Sequence, residues 1–256
     1  MLIELTIQNL IGIEKTIELI KETGATEVAL TDKNGMPDNL LAAQKIKEAL
    51  PELILTTYYS LKNHTSKKLE EKYEHLKDYL DRSTKSGIES LLIVSGNPRP
   101  KFDTLEALEY IKSNHLKPKN IKLAVAYNPF YSNEELVKEN ERLEKKALSG
   151  IVDNVYLQIG TNTNALKKGA ELIKKLLPNA LIEGSLIVAT TFLMNRFKFR
   201  PWKGVMVSDE FMSSAEAANI INKRLLKEYG VLSIKPIYGV YTITPDTMEA
   251  LTKLIP

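Results

Sequence analysis

The sequence predicts a single (β/α)8 barrel of the TIM type spanning residues 1–256. Three observations predict it. Short β-rich runs alternate with amphipathic helical stretches along the whole chain, the strand candidates number eight, and no Gly/Pro/Ser-rich linker divides them. A chain of 256 residues is also the usual size of one such barrel. A doubly wound open sheet gives the same alternation with fewer strands and is the competing architecture.

In order, the strands are expected at Leu2–Gln8, Glu27–Thr31, Leu53–Tyr59, Leu91–Ser95, Ile121–Tyr127, Asn154–Ile159, Ala180–Ile187 and Leu232–Tyr241. Helical periodicity falls near residues 13–23, 38–49, 65–86, 103–115, 133–149, 163–177, 213–229 and 246–254. Pro37-Asp38, Asp103 and the Ser132–Glu135 pair supply start signals, the last as a capping box. Gly24, Gly87, Gly150 and Gly230 stand where helix ends favour positive φ.

Composition narrows the function. With 35 Lys+Arg against 32 Asp+Glu the net charge is +3, too even for a dedicated nucleic-acid binder. The absence of Cys excludes a disulfide scaffold, Cys-ligated metals and thiol chemistry, and three His leave little for a His-based metal site. All three are expected at solvated positions on or beside helices. No apolar run approaches membrane-spanning length, and the first residues lack a signal-peptide pattern. The expectation is a cytoplasmic protein with no membrane partner.

Barrel chemistry gathers at strand C-terminal ends, so polar residues there are the candidates. In the first strand Ile3, Leu5 and Ile7 share one face, and Glu4, Thr6 and Gln8 the other. A carboxylate facing a barrel interior is costly unless solvated, paired or functional. Tyr156 and Gln158 likewise oppose Val155, Leu157 and Ile159, and Gln158 offers an amide that both donates and accepts. Ser95-Gly96-Asn97-Pro98 and Ala126-Tyr127-Asn128-Pro129 close the fourth and fifth strands, and Thr31 and Tyr59 the second and third. Ordinary turns and satisfied interior amides explain these residues about as well.

No dinucleotide fingerprint, P-loop, zincin or nucleophile-elbow motif is present. Residues 184–208 hold Arg196, Lys198, Arg200 and Lys203 without any acid, interleaved with Phe192, Phe197, Phe199 and Trp202. That mixture suits an anionic ligand with a flat ring or single-stranded nucleic acid, the latter opposed by the even net charge. Its plainer reading is a loop covering the seventh strand.

Several segments, in order, resemble the methylenetetrahydrofolate reductase family of flavin-dependent (β/α)8 barrels. Ile3-Glu4-Leu5 is similar to the strand that carries the family's catalytic Glu, and Glu27–Thr31 to the second strand with its flavin-contacting Thr. Ser95–Pro100 resembles the segment beneath the flavin, and Ala124–Pro129 the Val-Ala-Ala-Tyr-Pro run. Leu143–Gln158 resembles the stretch carrying a flavin-phosphate Lys (Lys146) and a folate-binding Gln (Gln158). Glu183–Val188 with Phe192, and Tyr238–Thr242, match the last two strands.

The resemblance implies Glu4 as catalytic acid and Gln158, Phe192 and Tyr241 as substrate contacts. It further implies FAD or another flavin held by Thr31, Tyr59, Ser95, Gly96, Asn97, Tyr127 and Lys146. The substrate would be 5,10-methylene-tetrahydrofolate or a related pterin, reduced to the 5-methyl form by way of an external electron donor, a partner protein among the candidates. A homo-oligomer is left open. Asn97 replaces the family's Asp, Ser95 its Arg, and Tyr59 falls near an expected His. These flavin-side departures motivate the alternative of a folate- or pterin-binding protein that has no redox cycle of its own.

Overall fold

The computed structural model describes residues 1–7, 10, 13–36, 38–64, 68–96, 102–241 and 244–255. Eight parallel strands close a barrel in sequence order, β1 (Leu2–Leu5), β2 (Glu27–Leu30), β3 (Ile54–Ser60), β4 (Ser90–Val94), β5 (Lys122–Tyr127), β6 (Asn154–Leu157), β7 (Leu181–Ile187) and β8 (Lys235–Val240). β1 pairs with both β2 and β8, which removes every sheet edge and excludes the open-sheet alternative.

The helices are α1 (Ile13–Thr23), α2 (Asn39–Ala49), α3 (Leu69–Ser83), α4 (Thr104–Ser113), α5 (Asn133–Leu148), α6 (Thr163–Leu176), α7 (Thr191–Phe199), α8 (Asp209–Ser213), α9 (Ala215–Leu232) and α10 (Pro245–Leu254). A 3-10 turn covers Leu61–His64. Among the described residues no helix is long and apolar enough to cross a membrane.

Strand parity separates two apolar layers. Ile3, Leu5, Val28, Leu30, Leu55, Leu91, Ile93 and Val155 face the helices and join the main core. Leu2, Ala29, Leu92, Ala124, Tyr156 and Ile237 fill the barrel interior. The interior set is small-to-medium at its base and aromatic above, which leaves a space at the C-terminal end.

The differences from expectation are local. In place of a plain loop over the seventh strand, residues 191–199 form α7, whose N-cap Thr190 accepts a hydrogen bond from Leu193 N–H. Ser132 makes no side-chain cap bond, whereas Asp103 forms a full capping box with Glu106. Gly24, Gly87 and Gly150 adopt positive φ, but Gly230 lies inside α9 and Ser233 takes the left-handed position instead. Gln8, Pro37, residues 65–67 of the expected third helix, and Thr242 lie outside the described residues.

At the start of α6 the Asn162 side chain accepts from Ala165 N–H at 3.0 Å on an exposed surface. Asn162→Ala is expected to lower unfolding free energy by about 1 kcal/mol, the ordinary value of such a cap, in a urea titration.

Candidate functional site

The space at the C-terminal end is a cavity of about 480 Å³, within the range that holds a small organic ligand. Its floor is Glu4, which parity turns inward from β1 and which is only 8% exposed. Tyr58 Oη, from the same interior face of β3, donates to Glu4 Oε2 at 2.6 Å. The Tyr241 hydroxyl, just past β8, also stands near enough to Glu4 to favour its charged form. Burial raises the Glu4 pKa above its ordinary value, and the two tyrosine hydroxyls and the Lys33 charge pull it back only in part. Burial, then the neighbouring Glu4 charge, holds the Tyr58 and Tyr241 phenols well above their ordinary pKa, so both remain donors.

Tyr241 reaches Glu4 because of Gly239, whose Cα pairs with that of Glu4. A Cβ at Gly239 would stand 2.7 Å from both Cε2 and Oη of Tyr241, closer than atoms pack. The missing side chain is what allows the phenol to fold back across the barrel.

Beneath this layer Tyr156 meets Tyr58 edge-on, with ring centroids 5.9 Å apart, and approaches Thr56 Oγ1 at 3.5 Å. Glu183 lies lower, 3.7 Å from Lys235 Nζ, which also pairs with Glu27. Burial raises the Glu183 pKa against the pull of Lys235. This second carboxyl does not line the cavity.

The roof comes from the chain after β7. Trp202 packs edge-on against Tyr241 at 4.6 Å, and Phe197 of α7 against Trp202 at 5.3 Å. Asn128 Nδ2 donates to Gly204 O at 2.8 Å, and Met206 N–H to Ile159 O at 3.2 Å. Residues 202–206 are thereby tied down over the ends of β5 and β6, with Lys203 on the cavity wall.

Of the residues singled out from the sequence, Glu4, Ser95, Gly96, Tyr127, Lys146, Gln158 and Tyr241 line this one cavity. Gln158 turns its Oε1 to Ile159 N–H at 2.9 Å. Tyr127 Oη donates to Asn140 at 2.7 Å, and Lys146 Nζ to Ala126 O at 2.6 Å, 3.8 Å from Glu139. Ser95 Oγ accepts from Thr104 N–H at 3.1 Å.

Three expected positions fall elsewhere. Tyr59 points to the helix layer, where it is buried and stacks on His64 at 4.3 Å, because β3 runs on to Ser60 and its inward residues are Thr56 and Tyr58. Thr31 does not line the cavity, and its hydroxyl bonds that of Thr6 at 2.9 Å. Phe192, on the first turn of α7, is 62% exposed and off the cavity wall. Asn97 lies outside the described residues. Sequence reasoning missed Tyr58 and Arg142. The first was recoverable from period-two parity in β3; the second sits on the cavity wall one helical turn before Lys146, paired with Asp103 at 2.9 Å.

A separate cavity of about 280 Å³ lies beside α2 and α3. Its Asp32 accepts from Ser60 N–H at 2.8 Å and meets His64 Nε2 at 2.8 Å. His64 is therefore held by an acid and a ring, and not the solvated histidine expected. His75 and His115 are exposed as expected.

Four of the seven residues assigned to a flavin line the mouth, but the described ones do not converge as a cradle. Thr31 and Tyr59 are turned away, and the Lys146 ammonium is buried against a backbone carbonyl beside Glu139, a carboxylate that opposes a phosphate.

Among solved structures the chain resembles an uncharacterized protein from Clostridium thermocellum that binds two copies of 5-methyl-5,6,7,8-tetrahydrofolic acid, with 12% identity, 99% of this chain and 92% of that chain covered, and a TM-score of 0.72. It also resembles Yersinia pestis DHPS with a pterine–sulfa conjugate, at 11% identity, 98% and 91% coverage and a TM-score of 0.51. A third likeness is the Bacillus cereus spore cortex-lytic enzyme SleL, at 12% identity, 100% and 74% coverage and a TM-score of 0.60. No family model matches the chain, and a search of curated proteins finds no match. At these identities the likenesses establish the (β/α)8 barrel, a fold that hosts unrelated chemistries, and the function rests on the site.

Proposed function

We propose that the barrel mouth binds a reduced folate or a closely related reduced pterin, and that the protein acts as a folate-binding protein without a flavin redox cycle of its own. The observation that carries this reading is the buried Glu4 carboxyl on the floor of a tyrosine-walled cavity that also presents Gln158. A pterin is flat and carries adjacent N–H donors on one edge. A carboxyl accepts both donors in a fork, while Tyr58, Tyr127 and Tyr156 offer ring edges and faces to the planar system. Gln158 adds an amide for the remaining polar edge. The Clostridium thermocellum neighbour's ligand, a methylated tetrahydrofolate, supports the choice of ligand class.

A second reading, flavin-dependent reduction of a methylene-folate, is favoured by one observation: the raised pKa of Glu4 suits an acid. The positions of Thr31, Tyr59 and Lys146 weigh against it. Calorimetric titrations with 5-methyltetrahydrofolate and with FAD, together with the absorbance spectrum of the purified protein, separate the two. Folate binding by a colourless protein that takes up no FAD is the expected result. A yellow protein, or FAD binding followed by bleaching and methylene-folate-driven reoxidation, restores the reductase reading. No folate binding in either form removes both.

A further inference from the structure

Of the four cations in residues 184–208, only Lys203 lines the ligand cavity. The others belong to α7 and its exit. Leu193, Met194 and Phe197 share one side of this helix and are buried. A helix packed on one side is expected to be polar on the other. The outer side of α7 carries Phe192 and Phe199 instead, aligned about two turns apart with Asn195 and Arg196 between them. Phe192 is 62% exposed and Phe199 94%.

Single exposed apolar side chains are ordinary on a protein surface, but two rings aligned opposite the buried side of one helix form a feature. Arg196 and Arg200 are exposed beside them. Lys198 is drawn aside, donating to Ser213 O at 3.2 Å. No acid occurs anywhere from Gly184 to Ser208. The face therefore calls for an occupant that is anionic and also offers an apolar layer. Charged residues are depleted from the core of a protein interface, and here Arg196 stands between the two rings. Single-stranded nucleic acid takes rings and cations in a positively charged groove, whereas this face is the convex outside of a helix. At a bilayer, rings enter the boundary between headgroups and acyl chains while basic side chains stay with the anionic headgroups.

We propose that the outer face of α7 docks the protein on an anionic phospholipid surface, with Phe192 and Phe199 entering the headgroup boundary and Arg196 and Arg200 meeting lipid phosphates. The contact is peripheral and needs no spanning helix. It does not depend on what the barrel mouth binds. Phe197, on the buried side of α7, packs against Trp202, so the docked face lies next to the roof of the mouth.

The test is co-sedimentation of the intact chain with vesicles of phosphatidylcholine alone and of phosphatidylcholine mixed equally with phosphatidylglycerol. Each is run at about 0.05 M and about 0.5 M salt, with the native protein and the F192S/F199S and R196Q/R200Q variants. The native protein is expected to sediment with the anionic vesicles at low salt and not with the neutral ones. Each variant should lower that partitioning by about tenfold or more, the size expected for two cations near an anionic surface, and high salt should weaken it in the native protein. All four substituted side chains are exposed, and the lipid and salt comparisons need no substitution, so the outcome does not hang on the variants alone. Absence of sedimentation with either vesicle, or sedimentation indifferent to lipid charge, overturns the proposal. Binding of a fluorescent oligothymidylate that both variants abolish, with no vesicle binding, assigns the face to nucleic acid. A dimer in sedimentation velocity that F192S/F199S dissociates, again with no vesicle binding, assigns it to a second copy of the chain. Either result overturns the lipid reading.

Discussion

Glu4→Gln is expected to weaken 5-methyltetrahydrofolate binding by about ten- to a hundredfold, the loss that follows from removing hydrogen bonds to an ionisable carboxyl worth about 1.5–3 kcal/mol. The variant keeps an acceptor for Tyr58 and the volume of the side chain, so the floor of the cavity stays in place. Its stability should move the opposite way. Burial raises the Glu4 pKa in the folded chain, so folding favours the protonated form. Stability linked to Glu4 is therefore full below the unfolded value, about 4.3, and is lost as pH rises through the raised folded value. A glutamine has no proton to lose. In urea titrations across pH, the variant is expected to gain on the native protein as pH rises above the ordinary carboxylate range. A native protein whose stability relative to the variant is unchanged with pH would show that Glu4 is neither desolvated nor functionally poised.

The second large effect is expected from Gly239→Ala. The added methyl lands 2.7 Å from the Tyr241 ring and must displace it. Overpacking of this kind costs about 1–3 kcal/mol, and the displaced phenol also abandons Glu4 and its edge-on contact with Trp202. Stability and ligand affinity should therefore fall together. Gly184→Ala provides the comparison, because its methyl would strike Tyr229 in the helix layer at 2.5 Å, away from the mouth. That variant is expected to lose comparable stability and keep its affinity. If both variants bind equally well, the Tyr241–Glu4 contact has no part in recognition.

The barrel was legible because its cause is periodic. Alternation of apolar runs with amphipathic stretches reports which residues face helices, and a parallel sheet with eight such repeats closes. The same period of two turned Glu4, Tyr156 and Gln158 inward correctly. It misled only where a strand end was misjudged. Reading β3 as ending on Tyr59 presented that ring as a mouth residue, but the strand continues to Ser60, and the inward tyrosine is Tyr58. The mouth was less legible than the barrel because its contacts join residues far apart in sequence. Nothing local to Gly239 announces that its missing side chain lets Tyr241 reach Glu4, and nothing local to Asn128 announces that it anchors Gly204. Helix α7 was hidden by its mixture of aromatics and basic residues, whose apolar members Leu193, Met194 and Phe197 are buried on one side only.

A crystal structure of the protein soaked with 5-methyltetrahydrofolate tests the central claim most directly. The account predicts a pterin ring in the barrel mouth, its N–H edge within hydrogen-bonding distance of Glu4 and its plane against the tyrosines. A ligand seated instead in the Asp32–His64 cavity beside α2 and α3, with the barrel mouth free of it, would contradict that account.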